Sequence, residues 1–339
     1  MEEQTLGDSR PIVIQQSSRQ GLWILLAVVT GFSLPMLACI IGIVVIIFAG
    51  GLGSALNGPA STSSGGSGPA IAIVRIEGVI VGTDDTNYLT GAGSGTVIAD
   101  LKAAEADEDV KAIILRVDSP GGTVTGSAQI HEVIRDEISK PIVVSMASVA
   151  ASGGYYVSAS ADYIFARADT TTGSLGVIMS LFNVSGLLEE WGVDVLNVTS
   201  GPNKAIGSPY DAVSPAHIEI LETLISESYD EFVKVIVDGR GLEDAVVREL
   251  ADGRIYSGRQ AVKNGLIDEI GNFSDAIAHA ATLGGIVDEP RLIEFERTPD
   301  YSNLLSMFSQ LQNRTAADEV RVAIEEYSLP KLEYRYMGQ

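Results

Sequence analysis

Residues 142–156 read Ile-Val-Val-Ser-Met-Ala-Ser-Val-Ala-Ala-Ser-Gly-Gly-Tyr-Tyr. The stretch opens as an apolar run typical of a buried strand and closes on a small-residue pattern typical of a helix. Between the two, Ser152 stands directly before two glycines, as at a strand-to-helix turn. Such a turn lifts a hydroxyl out of the sheet, and the helix N-terminus favours negative charge that develops beside it. The stretch therefore predicts a strand, a helix and an exposed nucleophile, Ser152, between them.

The strand-then-helix order repeats on both sides of this stretch. Strands are predicted at 71–76, 112–117, 142–146, 163–165, 175–179 and 195–199, and helices at 96–106, 125–138, 154–161 and 184–191. Further on, the pattern predicts helices at 215–237, 243–250, 259–264 and 274–282, then a strand at 291–296 and two more helices. Short apolar strands that alternate with helices indicate right-handed parallel units and a sheet covered on both faces. The predicted fold class is α/β.

The charge balance excludes some kinds of partner. The chain has 22 Lys and Arg against 44 Asp and Glu, a formal net charge of -22 at pH 7. Proteins that bind nucleic acid concentrate cationic side chains to neutralise phosphates, so nucleic acid is not an expected partner. Anionic lipid headgroups would also repel such a surface. Any attachment to a membrane must therefore come from apolar insertion.

The N-terminal region supplies an apolar segment of the required length. No charged residue occurs from Gly21 to Leu52, which exceeds the roughly 20 residues that cross a bilayer. Arg10 and Arg19 precede the run and the next basic residue is Arg75, so the N-terminus is expected in the cytoplasm. We therefore expect a single-pass protein of the cell membrane whose main domain is extracytoplasmic. A cleaved signal peptide is the alternative, but the run is about twice as long as a signal core.

A serine nucleophile needs a base, and histidine is the usual one. His131, His217 and His279 all fall within predicted amphipathic helices rather than in loop motifs. Lys204 instead follows a predicted buried strand, in Thr199-Ser200-Gly201-Pro202-Asn203-Lys204-Ala205. A lysine can act as a base where burial disfavours its charged form. On spacing alone, however, a loop lysine is more often a solvated charge.

Five motifs in chain order give the sequence a specific resemblance. They are Asp118-Ser119-Pro120-Gly121-Gly122, Ala150-Ala151-Ser152-Gly153-Gly154-Tyr155-Tyr156, Thr172-Gly173-Ser174-Leu175-Gly176-Val177, Lys204 ahead of Ser208-Pro209, and Asp252-Gly253-Arg254-Ile255-Tyr256-Ser257-Gly258-Arg259-Gln260-Ala261. Over about 71–281, the chain resembles the signal peptide peptidase SppA family of Ser/Lys membrane proteases. The compact bacterial members of that family share the single N-terminal span.

The resemblance implies a ClpP/crotonase fold, a superhelix of repeated ββα and βαβ units that follows one transmembrane helix. It implies Ser152 as nucleophile and Lys204 as general base. Backbone amides of Gly121 and Gly122, with Gly153 as a further donor, are implied to bind the carbonyl oxygen, because glycine lets an amide approach an oxyanion closely. Ser174 is a candidate to orient the lysine, although a serine in such a turn is often structural.

The resemblance also implies an activity and partners. Family members degrade remnant signal peptides and other extended apolar peptides through an acyl-enzyme. Compact members form a homo-oligomeric ring, typically an octamer, in which serine and lysine come from neighbouring subunits. The sequence has neither metal-ligand spacing nor a phosphate-binding loop, so no metal and no cofactor are expected. Two alternatives stay open, a crotonase-type acyl-CoA enzyme that uses carboxylates and a membrane scaffold that has lost turnover.

Composition and motifs together predict five segments. They are a cytoplasmic tail (1–20), a transmembrane helix (21–52), a flexible Gly/Ser linker (53–69), a Ser/Lys protease domain (70–285) and a C-terminal extension of unknown role (286–339). The linker assignment rests on a composition of small and polar residues that cannot bury a core.

Overall fold

The computed structural model describes residues 60–63, 68–84, 91–296 and 332–337. The chain divides into two compact units, Met1–Gly58 and Pro59–Gln339, and all of the described residues belong to the second unit. The predicted cytoplasmic tail and transmembrane helix, 1–20 and 21–52, lie outside the described residues. Among the helices of the described ranges, none is long and apolar enough to cross a membrane.

The described part of the chain forms two β-sheets. Its strands are β1 (Ala60–Ser63), β2 (Ala70–Glu77), β3 (Ile80–Val81), β4 (Ala92–Gly93), β5 (Val110–Ser119), β6 (Gly121–Thr123), β7 (Ile142–Ala151), β8 (Tyr163–Ala166), β9 (Thr171–Gly173), β10 (Ile178–Met179), β11 (Ile255–Ser257), β12 (Glu269–Ile270), β13 (Arg291–Glu296) and β14 (Leu332–Arg335). The larger sheet has the order β1-β13-β2-β5-β7-β8-β12, with β9 beside β7 and β11 beside β9. The smaller sheet has the order β10-β14-β6-β3-β4.

The central strands of the larger sheet are parallel and buried on both faces. Ile73 of β2 lies beside Ile114 of β5, which lies beside Val143 of β7. Along β2 the side chains alternate, so that Ala72 packs into one apolar cluster and Ile71 into the other. Because most of both faces is covered, each strand is a largely apolar run, as the sequence predicts, with exposed charged residues such as Arg75 and Lys111.

Helices cover both faces of this sheet. The helices of the described residues are α1 (Ser94–Ala106), α2 (Val124–Glu137), α3 (Gly153–Ser158), α4 (Ser185–Glu190), α5 (Pro215–Arg240), α6 (Asp244–Leu250), α7 (Gly258–Lys263) and α8 (Phe273–Leu283), of which α4 buries no residue. Helix α8 joins the smaller apolar cluster through Ala276 and Ala280. On the opposite face, Leu101, Ile130 and Ile236 of α1, α2 and α5 join the larger cluster. The predicted mixed α/β class is confirmed.

Two predicted strands differ from the structure. The strand predicted at 175–179 is displaced, because β9 ends at Gly173 and β10 begins only at Ile178. The strand predicted at 195–199 is wrong, since these residues form no strand. Their apolar side chains indicated burial, yet Leu196 is 87% exposed and Val198 is 90% exposed. The apolar pattern there therefore does not mark a part of the described core.

Two segments outside the predicted domain core take part in the sheets. Residues 60–63, within the predicted linker, form β1 and pair antiparallel with β13. The predicted C-terminal extension contributes β13 to the larger sheet, where it lies parallel to β2, and β14 to the smaller one. The two helices predicted after 291–296 fall mainly at 297–331, outside the described residues.

A buried histidine makes the stability of this fold depend on pH. His131 of α2 is 3% exposed, and its ring meets the edge of Tyr156 at 5.2 Å between centroids. Burial, followed by the nearby charge of Arg135, lowers its pKa to about 4, against smaller opposing effects of Asp136 and Asp238. Because the unfolded histidine binds a proton more readily, the native state is favoured fully above about pH 6.5 and progressively less below it.

We expect the contribution of His131 to lower the free energy of unfolding by about 3 kcal/mol as pH falls from about 7 to 4. Urea unfolding of the wild type and of His131→Gln at both ends of this range measures the effect. The carboxylates contribute equally to both proteins, so the difference between their pH slopes isolates the histidine. Equal slopes would contradict the prediction.

Candidate active site

Ser152 lies at the strand-to-helix turn that the sequence predicts. Strand β7 ends at Ala151 and α3 begins at Gly153, so Ser152 is the only residue between them. Its backbone has φ 52° and ψ -116°, a region that costs a residue with a side chain roughly 1–3 kcal/mol. Two bonds of 2.8 Å stabilise this conformation, from Ser152 N to Gly173 O and from Tyr156 N to Ser152 O. The turn is therefore strained, and hydrogen bonds at both the N–H and the carbonyl of Ser152 hold it in place.

The glycines after Ser152 allow α3 to approach the preceding loop closely. A Cβ on Gly154 would lie 2.7 Å from Ser119 O, and one on Gly153 would lie 2.5 Å from Ser127 Oγ. Any larger residue would therefore push the helix away from β5 and α2. The serine itself is 1% exposed in the described protein, so the nucleophile candidate lies in a closed environment rather than on the surface.

The segment 118–122, which joins β5 to β6 and which we call the glycine loop, is held by its own side chains. The Asp118 carboxylate accepts a 3.0 Å hydrogen bond from Val149 N. Ser119 Oγ donates to Gly78 O at 2.6 Å and accepts from Gly121 N at 3.1 Å. The Gly121 amide is therefore already bonded within the loop, which turns it away from the donor role that the resemblance implies for it.

Of the three predicted donors, Gly122 and Gly153 are the two whose amides take no part in the bond from Gly121 N to Ser119 Oγ. A Cβ on Gly122 would lie 1.9 Å from Ile80 O, so only glycine lets β6 sit against β3. A Cβ on Gly121, which has φ 92°, would lie 2.5 Å from Gly153 N. The glycine loop and the start of α3 thus border the same small space, next to Ser152.

Backbone hydrogen bonds join the motif at 172–177 to the motif at 252–261, next to the Ser152 turn. Strand β9 pairs with β7 on one side and with β11 on the other. Ser174 N donates to Arg254 O at 2.8 Å and Gly253 N donates to Leu175 O at 3.1 Å. These contacts hold Gly173, whose carbonyl accepts from Ser152 N. Ser174 itself has φ 51° and is half-buried, and its hydroxyl makes no hydrogen bond to Lys204.

Lys204 is the predicted residue that the structure does not join to the others. It lies in a turn, with its amide bonded to Gly201 O at 3.2 Å, and its side chain is exposed. Within the part of the chain that the structure describes, neither the Lys204 ammonium nor the Ser152 hydroxyl has a hydrogen-bond partner. The described chain therefore presents the serine and the glycine amides together, and the lysine separately.

The segment that carries Lys204 exposes an unusual number of apolar side chains. We call them the apolar surface; it consists of Phe182, Leu187, Trp191, Val193, Val195, Leu196 and Val198. Apolar exposure concentrated in one segment is typical of sites that contact another protein or a membrane. In the chain, the apolar surface lies between Ser174 and Lys204, two of the predicted site residues.

Sequence reasoning missed one participant in this site. Strand β14 of the C-terminal segment pairs with β6, and Tyr336 N donates to Pro120 O at 2.7 Å. From the sequence alone, this C-terminal extension (286–339) has an unknown role. The available signal was the short alternation Leu332-Glu333-Tyr334-Arg335-Tyr336, which is too brief to predict a strand partner more than 200 residues away.

Comparison with known families agrees with this architecture. Residues 135–286 match the model of peptidase family S49, and residues 86–171 match the Clp protease model. Together the two matches cover the glycine loop, the Ser152 turn, the Lys204 segment and the 252–261 motif.

Three relatives give the extent of the similarity. A putative signal peptide peptidase SppA of Enterococcus faecium is 41% identical over 63% of each chain. A putative protease of Synechocystis is 40% identical over 68% of this chain and 85% of its own length. Protease 4 of Haemophilus influenzae is 39% identical over 63% of this chain and 34% of its own. The chain thus spans less than two thirds of the Enterococcus and Haemophilus proteins. By these matches, the chain belongs to peptidase family S49, a family of serine proteases.

Proposed function

We propose that the protein is a membrane-anchored endopeptidase that hydrolyses extended apolar peptides, remnant signal peptides among them. The observation that carries this proposal is the strained Ser152 turn. Gly153 follows the serine directly, and the glycine loop lies next to both residues. A serine that a fold holds at φ 52° against a cost of strain serves a purpose other than stability. The similarity to a putative signal peptide peptidase, a putative protease and protease 4 supports the same reaction.

The proposed reaction passes through an acyl-enzyme. Ser152 Oγ adds to the carbonyl carbon of the substrate, and the oxygen takes hydrogen bonds from the amides of Gly122 and Gly153. The serine proton passes to Lys204 Nζ and then to the leaving amine, as the peptide C–N bond breaks. Water next adds to the ester, Lys204 accepts one of its protons, and Ser152 recovers its hydroxyl. Donors fixed before the reaction stabilise the oxyanion without any rearrangement.

We propose that the lysine of one subunit serves the serine of its neighbour in a homo-oligomeric ring. Lys204 is exposed in the protomer and sits in the same segment as the apolar surface. A second copy of the chain that covers the apolar surface would remove that surface from water. The same contact would bury the Lys204 ammonium. Burial disfavours the charged ammonium and so favours the neutral amine, which is the form that a general base requires. Ser174, at the turn after β9, remains the candidate that orients the lysine.

The anchor in this proposal is the uncharged run at 21–52, with the N-terminus in the cytoplasm and a ClpP/crotonase-type catalytic unit outside it. A catalytic unit tethered to a bilayer would meet extended apolar segments more readily than folded proteins. Fractionation of cells that express the full chain tests the anchor. Resistance to carbonate extraction is the expected result, and release of the full chain by carbonate would contradict it.

A direct assay separates this function from the alternatives. Full chain in detergent micelles is incubated with a fluorogenic apolar peptide and, separately, with an enoyl-CoA whose hydration is followed by absorbance. We expect peptide hydrolysis and no hydration. Hydration without proteolysis would favour the crotonase-type enzyme, and neither activity would favour a silent scaffold.

Substituting the proposed oxyanion donor tests the geometry of the glycine loop. Gly122→Ala is expected to lower kcat by about 10²–10³-fold, because displacing a single oxyanion donor has an effect of that size. The new Cβ would meet Ile80 O at 1.9 Å, so the strand and its amide must move. Gly186→Ala is the matched control, since a Cβ there meets nothing within 4 Å. Equal activity of the two variants would remove the glycine loop from the mechanism.

A further inference from the structure

A histidine side chain ties the segment that carries Lys204 to a helix. We call residues 201–208 the lysine turn. Its own backbone hydrogen bonds are local, such as Lys204 N to Gly201 O at 3.2 Å. From the first turn of α5, His217 Nε2 lies 3.2 Å from Pro202 O. Among the described residues, this is the only hydrogen bond that joins the lysine turn to a helix or a strand, so the position of the turn depends on it.

The chemistry of this contact shows which atom carries the proton. A carbonyl oxygen only accepts hydrogen bonds, so His217 Nε2 is the donor. An imidazole with its proton on Nε2 and a doubly protonated imidazolium both donate from this atom. The bond therefore persists whether or not the histidine is charged, and holding the turn requires no exchange of protons.

The start of α5 fixes the histidine in turn. Ser214 precedes the helix, and its Oγ accepts a hydrogen bond from His217 N at 3.2 Å, which is the usual way to cap a helix N-terminus. The histidine also borders a small apolar depression that is lined in part by Ala205 and Leu221. Since Ala205 directly follows Lys204, the histidine and the lysine turn share one packed contact as well as a hydrogen bond.

Helix α5 holds this contact far from the serine of the same chain. Near its other end, the ring of Phe232 meets the ring of Tyr156 on α3, with 5.1 Å between centroids. Helix α3 begins directly after Ser152. From Phe232 to His217, α5 rises about 22 Å along its axis, at roughly 1.5 Å per residue. The helix therefore keeps the lysine turn away from its own Ser152, as suits a lysine that serves a neighbouring subunit.

We propose that His217 is a positioning residue for the general base. Its Nε2–H holds the Pro202 carbonyl and so fixes the place from which the Lys204 amine reaches a serine. The inference rests on the proposed endopeptidase function and adds a residue to it. In this role, His217 contacts no substrate and transfers no proton. Without the bond, the lysine turn loses its tie to α5, and a displacement of about 1 Å in a catalytic group can lower the rate by about 10²-fold.

Two substitutions of similar size separate the donor from the ring. The amide nitrogen of glutamine reaches about as far as Nε2, whereas the shorter side chain of asparagine places its nitrogen near the position of Nδ1. For hydrolysis of a fluorogenic apolar peptide by the full chain, we expect His217→Asn to lower kcat by about tenfold to 10²-fold. KM should stay within a few-fold of the wild type, because the lysine moves a proton rather than binding the peptide.

The donor at the end of the glutamine side chain should restore activity. We expect kcat of His217→Gln within a few-fold of the wild type. Hydrolysis should also rise with pH along the same curve in both proteins, because the histidine transfers no proton. His279→Asn is the matched control: this histidine lies on α8 with its ring 4.0 Å from that of Tyr163, outside the candidate site. It should keep wild-type kcat.

Hydrogen exchange measures the position of the turn without reference to activity. In full-chain protein in detergent micelles, the amides of Lys204 and Ile206 should exchange about fivefold faster in His217→Asn than in the wild type, the ratio that loss of one hydrogen bond produces. His217→Gln should exchange like the wild type. The urea midpoint of all three proteins should be the same, since the bond lies outside the two apolar clusters.

Each contrary result has a distinct meaning. Wild-type kcat in His217→Asn would overturn this inference while the proposed function stands. Equal loss of kcat in His217→Gln and His217→Asn would overturn the role of the Nε2 donor. A lower urea midpoint together with lower kcat in His217→Asn would make the histidine a structural residue, and a displaced pH curve in His217→Gln would make it a proton-transfer group; either would overturn the positioning role. If the wild type hydrolyses no peptide, the proposed function fails and this inference falls with it.

Discussion

Ser152→Ala is expected to lower kcat for peptide hydrolysis by about 10⁴-fold or more, as removal of the nucleophile does in other serine proteases. Alanine adopts the φ 52° backbone at the same cost as serine, and the Ser152 hydroxyl bonds no other group of the described protein. The unfolding free energy should therefore stay within about 0.5 kcal/mol of the wild type. Hydrolysis of a fluorogenic peptide and urea unfolding of the same preparation measure the two quantities.

A second serine, at the far end of the helix that follows this turn, provides the control for this experiment. Ser158 lies at the end of α3, and its buried hydroxyl donates to Gly154 O at 2.7 Å. Ser158→Ala removes a hydroxyl from the same helix without touching the reacting atoms. We expect it to keep kcat within a few-fold of the wild type. Activity in Ser152→Ala above one hundredth of the wild type would rule out this serine as nucleophile.

The sequence was sufficient to predict the Ser152 turn because each requirement there is local. Apolar residues define β7, and glycine at 153 and 154 is needed within two residues of the serine for α3 to pass Ser119 and Ser127. The glycine loop is local in the same sense, since Gly121 adopts φ 92° directly after Pro120. Short-range steric limits are visible in a sequence.

Contacts between distant segments could not be predicted in this way. The bond from Gly121 N to Ser119 Oγ depends on a serine rotamer, which composition does not specify. The pairing of β14 with β6 joins residues more than 200 positions apart, and four residues carry too little pattern to indicate a partner. The wrong strand at 195–199 has a related cause. Its apolar side chains suit burial against something other than this protomer's own core.

Lys204→Ala is expected to reduce peptide hydrolysis about as far as Ser152→Ala does, since nucleophile and base act as one unit. Lys204→Arg should be equally inactive, because a guanidinium keeps its proton and cannot serve as a base. Arginine retains the positive charge, so activity in Lys204→Arg would show that the charge alone matters. Lys263→Ala, an exposed lysine on α7, is the control and should retain wild-type kcat. Unimpaired hydrolysis by Lys204→Ala would remove the lysine from the mechanism.

Co-expression of the two inactive variants tests whether the lysine comes from a neighbouring subunit. In a ring with head-to-tail contacts, a site is complete when a Lys204→Ala subunit supplies the serine and a Ser152→Ala subunit supplies the lysine. With equal amounts and random assembly, about one quarter of the sites regain both groups. Different affinity tags on the two chains allow mixed rings to be purified before the assay. Because Lys204 is exposed and unpaired in the described protomer, we expect activity near this fraction. Inactive mixed rings would place both groups within one subunit and would require the 199–207 turn to fold back onto its own Ser152.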